Sequence, residues 1–243
     1  MKILGIDGCP KGWIGILIRE NCEWDYLVSD SLEEIQNKFN PDYCFIDIPI
    51  VLSENNASRI CDMNLRKLLP TNYRSSVFNP PVRSAIEASS YKEACEINKI
   101  LTGKKISLQT WHIMPKISAV NDFLIDNTHL SSKYYESHPE TFFFRLNGGI
   151  DLVNKKKTQL GRIERLNILK MIHIKAEEIY KTILSETLRK DVAYDDILDA
   201  IVLSVAGINF FPDNFEMIPE EKIEAESGAL QNVFIPKKLP HLR

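Results

Sequence analysis

Met1-Lys2-Ile3-Leu4-Gly5-Ile6-Asp7-Gly8-Cys9-Pro10-Lys11-Gly12-Trp13 opens the chain. Ile3, Leu4 and Ile6 form an apolar run that predicts a buried strand ending on a carboxylate. Gly8, Pro10 and Gly12 turn the chain at once into a second strand over 13–18. A charge at the end of a central strand is costly unless it is paired, protonated or bound to a cation. Asp7 therefore needs a partner, and a metal ion is the most economical one.

Outward from this stretch, Trp24, Tyr26 and Val28 alternate with polar positions as in a half-buried third strand, and Asn21-Cys22 suits the tight hairpin before it. Asp30-Ser31-Leu32-Glu33-Glu34 reads as a cap with acidic first-turn residues, opening a short helix to Phe39. Residues 43–50 then form a continuous apolar strand with Asp47 near its C-terminal end. The order β-β-β-α-β follows, and an unbroken apolar strand after a helix is typical of a parallel central position covered on both faces.

Residues 53–127 read as a helical insertion, with helices at 55–69, 90–101 and 108–126, the last interrupted near Pro115-Lys116. The paired prolines of Asn79-Pro80-Pro81 exclude helix between the first two. A short fifth strand spans 133–137, and His138-Pro139-Glu140 starts the next helix with proline at a tolerated first-turn position. Residues 158–189 read as the longest helix and 194–208 as the last. The tail over 212–243 is acidic and ends in an edge strand at 229–236. The pattern predicts one α/β domain over 1–243, a mixed five-stranded sheet flanked by helices, with the insertion between the fourth and fifth strands.

Of the 243 residues, 44% are hydrophobic and 26% charged, which suits a substantial core. The net charge of −3 gives no general attraction for phosphate backbones, so nucleic-acid binding requires a local basic surface. No apolar run reaches membrane-spanning length, and Lys2 leads into a strand, not a signal-peptide core. Five scattered cysteines without C-x-x-C spacing point to a reduced, cytoplasmic protein without structural zinc.

Acidic residues recur at four places. Asp7 and Asp47, on parallel neighbouring strands, would emerge at one edge of the sheet. Asp196 and Asp199 in Asp195-Asp196-Ile197-Leu198-Asp199-Ala200 share a face of the last helix. Glu136 ends the fifth strand, and Glu140 follows in a first helical turn. Carboxylates so placed raise each other's pKa unless a cation neutralises them. They would hold Mg²⁺ or Mn²⁺, and a pair of such ions about 3.5–4 Å apart can clamp a phosphodiester. Each has a structural alternative: Asp196 suits a helix cap and Asp47 a turn.

Several motifs carry a resemblance. They are Gly5–Trp13, Asp47-Ile48-Pro49, Arg59-Ile60-Cys61-Asp62, residues 76–83, Pro115-Lys116-Ile117, Glu136-Ser137-His138-Pro139-Glu140, Lys156-Lys157-Thr158 with Gly161 and Arg165, and Asp195–Ala200. Together they resemble a domain-of-unknown-function family of predicted RNase H-like nucleases. More distantly, Asp196-Ile197-Leu198-Asp199-Ala200 is similar to the last-helix acidic pair of RuvC-type Holliday-junction resolvases. Those commonly carry Glu on the fourth strand where this chain has Asp47. The resemblance implies an RNase H-like fold and metal-dependent phosphodiester hydrolysis, with Asp7 and Asp47 sharing the metal and Asp196, Asp199 or both completing the site. Glu136 would support it.

Lys116 and Arg83 would neutralise substrate phosphate, and Lys156, Lys157 and Arg162, near a helix start, are further phosphate candidates. His138 is a candidate proton shuttle or merely a helix-entry turn, and Trp111, Tyr73 and Phe78 are candidates for stacking on bases, with core packing the favoured reading for Phe78. The partner would be a nucleic acid or a nucleotide. Two other classes stay open. An actin- or sugar-kinase-like ATP-binding phosphotransferase shares the opening topology, but it needs a second glycine-rich loop, for which Gly148-Gly149 and Gly161 are poor substitutes among only ten glycines. An inactive binding module would leave the strand-end carboxylates without a purpose.

Overall fold

The computed structural model describes residues 1–54, 58–225 and 227–238. The opening hairpin forms as the sequence predicts, with β1 (Lys2–Cys9), β2 (Gly12–Arg19) and β3 (Trp24–Ser29) antiparallel. Helix α1 (Leu32–Phe39) follows, its first turn capped by the Ser31 hydroxyl, which accepts from the Glu34 N–H. Strand β4 (Tyr43–Ile46) returns parallel to β1. It is shorter than the 43–50 strand expected: Asp47 lies just past its end, and the chain leaves the sheet before Pro49, which cannot donate to a ladder.

Among the described residues the sheet has seven strands, not the five expected, in the order β3-β2-β1-β4-β5-β7-β6. Strand β5 spans Tyr134–Glu136, β6 Phe215–Ile218 and β7 Val233–Pro236. The tail accounts for the difference. The sequence predicts β7 as an edge, yet it sits inside, parallel to β5 and antiparallel to β6. Glu216, which makes the segment before it read as polar tail, pairs with Arg145 while Phe215 packs into the core.

Helices α2 (Ile60–Leu68), α3 (Tyr91–Thr102) and α4 (Leu108–Asp126) form the insertion between β4 and β5. Residues 55–57 of the helix expected at 55–69 lie outside the described residues. Helix α4 runs through Pro115 without the expected interruption. Helix α5 (Pro139–Leu146) follows β5. The long helix expected at 158–189 is two helices, α6 (Gln159–Ile172) and α7 (Ala176–Glu186). The break falls where His173 turns extended and buried while Ile174 faces outward, so the apolar period slips. Helix α8 (Tyr194–Phe210) is the central one, with eleven buried residues.

Side-chain alternation divides the core. Ile3, Ile14, Ile16 and Phe45 point to the face covered by α5, α6, α7 and α8, while Leu4, Ile6, Leu17 and Ile46 point to the face covered by α1 and α4. Gly5 lies on the α8 face. A Cβ there would stand 2.6 Å from the Ser204 nitrogen and closer still to the Ala200 carbonyl oxygen. Only a residue without a side chain lets α8 lie directly on β1.

No described helix is long and apolar enough to cross a membrane. Because the obstructing atoms belong to helix backbone, Gly5→Ala is expected to destabilise the protein by about 2–3 kcal/mol, read from the urea midpoint.

Candidate metal centre

Asp7 shares the parity of Ile3 and Gly5, so it projects toward the α8 side at the C-terminal end of β1. Asp47 shares the parity of Phe45. Its backbone N–H donates to the Ile6 carbonyl at 3.1 Å, which places it across from Asp7. The first two turns of α8 arrive at this edge and bring Asp196 and Asp199. The four aspartates that the sequence singles out therefore converge.

Their electrostatics are those of an under-neutralised cluster. Burial, then repulsion from Asp47, Asp199 and Asp196, holds the Asp7 carboxyl well above its ordinary value. Asp47 is pushed up to about 8, by burial first and then by Asp199. Asp196 rises to about 6, chiefly through burial, although its Oδ2 accepts the Ala193 N–H at 2.8 Å as a helix cap. Asp199 is 2% exposed. Its Oδ2 accepts from Lys156 Nζ at 2.8 Å, and its Oδ1 is buried with no hydrogen-bond partner among the described residues. An orphaned buried carboxylate oxygen is expensive in a protein interior.

Lys156 is the cation of the cluster. Asp199 first, and then Asp7, hold its ammonium charged against the cost of burial. A phosphate candidate by sequence, it lines the cleft and neutralises an aspartate there. Lys116 Nζ donates to the Cys9 and Gly12 carbonyls at 3.1 and 2.5 Å and lies 5.0 Å from the Trp13 ring centre, so it clasps the β1–β2 hairpin at the rim. Lys157 lines the cleft of Asp7 and Asp47 and also, with Arg162, an adjoining one that shares Lys116; Arg162 is 4.4 Å from the Tyr194 ring centre. Arg83 is not brought to the aspartates: it pairs with Glu54 at 2.8 Å and borders a different cleft.

Glu136 lines the same cleft, but its carboxylate is taken up by Arg59. It lies on the opposite parity from Asp47, with both oxygens on Arg59, and Oε2 accepts the Ile50 N–H at 2.9 Å. Arg59 holds Asp62 bidentately at 3.0 and 2.8 Å. Cys61, Asp62 and Glu136 place ligand atoms within 4.8 Å of one another, yet the guanidinium already fills the cationic role between the two carboxylates. The aspartates of the cleft are spread more widely than that trio. A second buried pair, Glu140 with Arg165, is bidentate at 2.9 and 2.8 Å. Sequence pattern assigns no role to Arg59, Asp62 or Arg165; the i,i+3 spacing of Arg59 and Asp62 at a helix start is the signal that could have found the first pair.

Asp7 and Asp47 border a cleft of about 410 Å³ that Phe78, Lys116, Lys156 and His138 also line; Asp196 borders the adjoining cleft, and Asp199 is buried behind them. Burial lowers the His138 pKa to about 4, so its imidazole is neutral above that, with Nδ1 3.0 Å from the Thr141 hydroxyl. A family model described as "Protein of unknown function (DUF429)" matches residues 5–224. The chain belongs to that family. Comparison with curated proteins and with solved structures gives no significant match.

A carboxyl whose folded pKa is raised stabilises the fold fully below its unfolded value, near 3.8, and loses that contribution as pH rises through the folded value, about 8 for Asp47. Burial lowers both His138 and His173, which oppose this trend below their ordinary value of 6.5. Metal-free protein should therefore lose denaturant stability between about pH 6.5 and 8, and Asp47→Asn should flatten that slope. Arg59→Met should cost about 3–5 kcal/mol in urea unfolding, because it strands two buried carboxylates.

Proposed function

We propose that the cleft is the active site of a metal-dependent phosphodiester hydrolase built on an RNase H-like core. The order β3-β2-β1-β4-β5, with an acidic helix closing on the first strand, supports the fold reading. Seven strands extend it by the β7–β6 pair at one edge.

One observation carries the chemical reading. The two buried arginine networks neutralise their carboxylates, whereas among the described residues the one ion pair made by Asp7, Asp47, Asp196 and Asp199 is that of Asp199 with Lys156, and Asp199 Oδ1 is left without a partner. All the free donors are carboxylate oxygens, the ligands that Mg²⁺ and Mn²⁺ take. Asp7, Asp47 and Asp199 would hold the ion, with Asp196 at the rim. When bound, it would supply charge neutralisation and an acidified water.

The chain's own residues account for the rest. Lys156 holds Asp199 in place and lowers the repulsion that an incoming phosphate would meet. Lys116, fixed by two carbonyls, offers positive charge at the mouth. The His138 imidazole lines the same cleft as a neutral polar group, held by the Thr141 hydroxyl.

Asp7→Asn should abolish Mn²⁺-dependent cleavage of an oligonucleotide and the Mn²⁺-induced rise in Tm. Its metal-free stability should equal or exceed wild type, since one repelling carboxylate is gone. Failure of that variant to fold would make Asp7 structural. Stabilisation by Mg²⁺ with ATP, but by neither metal alone, would favour a phosphotransferase.

A further inference from the structure

The insertion builds a second cleft beside the acidic one, about 320 Å³ in volume. The two share Val77 and Phe78 in their walls. Arg66, Arg74, Lys104 and Lys105 line it, and no carboxylate does among the described residues. In a chain of net charge −3, this is a local reversal of sign immediately next to a carboxylate cluster.

The two arginines, and the backbone that carries the two lysines, are held in place. Gly103, at φ +75°, ends α3 in the left-handed region and turns Lys104 and Lys105 toward the cleft wall. Asn98, 6% exposed, pins that turn: its Nδ2 donates to the Lys104 carbonyl at 2.7 Å, and its Oδ1 accepts the Val82 N–H at 3.0 Å. Arg66 donates to the Val77 carbonyl at 2.8 Å and to Asn79 Oδ1 at 2.6 Å, while Arg74 donates to the Leu69 carbonyl at 3.2 Å. Among the described residues neither arginine has a carboxylate partner; Lys105 has a loose one, Glu96 at 3.9 Å on the open surface. Ser107 and Thr110, from the first turn of the nineteen-residue α4, also line the cleft, so the positive end of that helix faces it.

We infer that this basic cleft binds the sugar-phosphate backbone flanking the bond to be cut, so that the substrate is a polymeric single strand running from the aspartates past Phe78 onto the insertion. The inference rests on the hydrolytic reading above and adds the substrate class. A mononucleotide in the acidic cleft would leave all four cations without a ligand. A strand crossing the shared wall meets half-buried Phe78, whose ring offers a stacking face, and then the guanidinium and ammonium groups beyond it.

The test is fluorescence anisotropy of labelled short single-stranded DNA and RNA, with Ca²⁺ present, on the wild-type full chain and on the Arg74→Glu/Lys104→Glu/Lys105→Glu variant. Binding should weaken at least about tenfold. The slope of log K against log salt should fall by about 2, because each phosphate left without its cation removes about 0.7 from it. The DNA and RNA arms report which strand is preferred. The milder Lys104→Gln/Lys105→Gln variant stands in should the triple one misfold. The Mn²⁺-induced rise in Tm should survive in both, because the aspartates are untouched. Unaltered affinity and salt slope in the variants would overturn the inference, as would oligonucleotides binding no tighter than a mononucleotide. Failure of the hydrolytic reading is separately visible as absence of the Mn²⁺ response in wild type.

Discussion

Direct packing of helix α8 on strand β1 is the constraint on which the site depends. Gly5 removes the side chain that would hold the helix off, and Ala200 and Ser204 bring backbone atoms into the space. Once the helix lies that close, strand alternation does the rest. Asp7 is two residues beyond Gly5 and must point to the same face, where Asp199, one residue before Ala200, is already buried. Asp47 follows by register, because β4 pairs with β1 in parallel and Ile46 stands opposite Ile6. Three charges from distant parts of the chain are thus forced together by packing that concerns only apolar and small residues.

Charge balance then separates scaffold from site. Arg59 satisfies Asp62 and Glu136, and Arg165 satisfies Glu140, each through several short hydrogen bonds in nearly water-free surroundings. Such networks are costly to build and costlier to break, and they fix the path of the insertion and of α5. The aspartate cluster has the opposite character. Its single paired ammonium, Lys156, cannot neutralise four carboxylates, and burial together with mutual repulsion keeps Asp7 and Asp47 reluctant to ionise. Folding tolerates this excess because packing elsewhere is extensive. A group that gains from the excess is a cation brought from outside.

The insertion brings charge of the opposite sign to the sheet edge. A sheet edge bearing several acidic groups repels phosphate, and the net charge of the chain does not compensate. Helices α2, α3 and α4 and the turns between them set arginine and lysine beside the acidic cleft, while Lys116 reaches the same rim from α4 and clasps the hairpin. Positive and negative surfaces are adjacent without cancelling, because Val77 and Phe78 stand between them.

Much of this is readable along the chain. The apolar runs around Ile3 to Ile6 and Tyr43 to Ile46, each followed by an aspartate, and the acidic start of the last helix are local patterns, and local periodicity reports faces reliably. The insertion is bounded by the same means. What the sequence could not decide was partnership between residues far apart. Glu136 and Lys156 both read as facing the metal or the substrate, but one is held by Arg59 and the other by Asp199, since pairing of buried charges depends on which side chains packing brings within reach. The tail conceals one strand and the place of another for a related reason. Phe215 to Ile218 is too short and too mixed to declare itself, and Val233 to Pro236 shows as a strand without showing its neighbours; only the free edge of β5 gives the pair its ladder. Local pattern therefore determined the elements and their faces, and tertiary packing alone decided which charges remain unanswered.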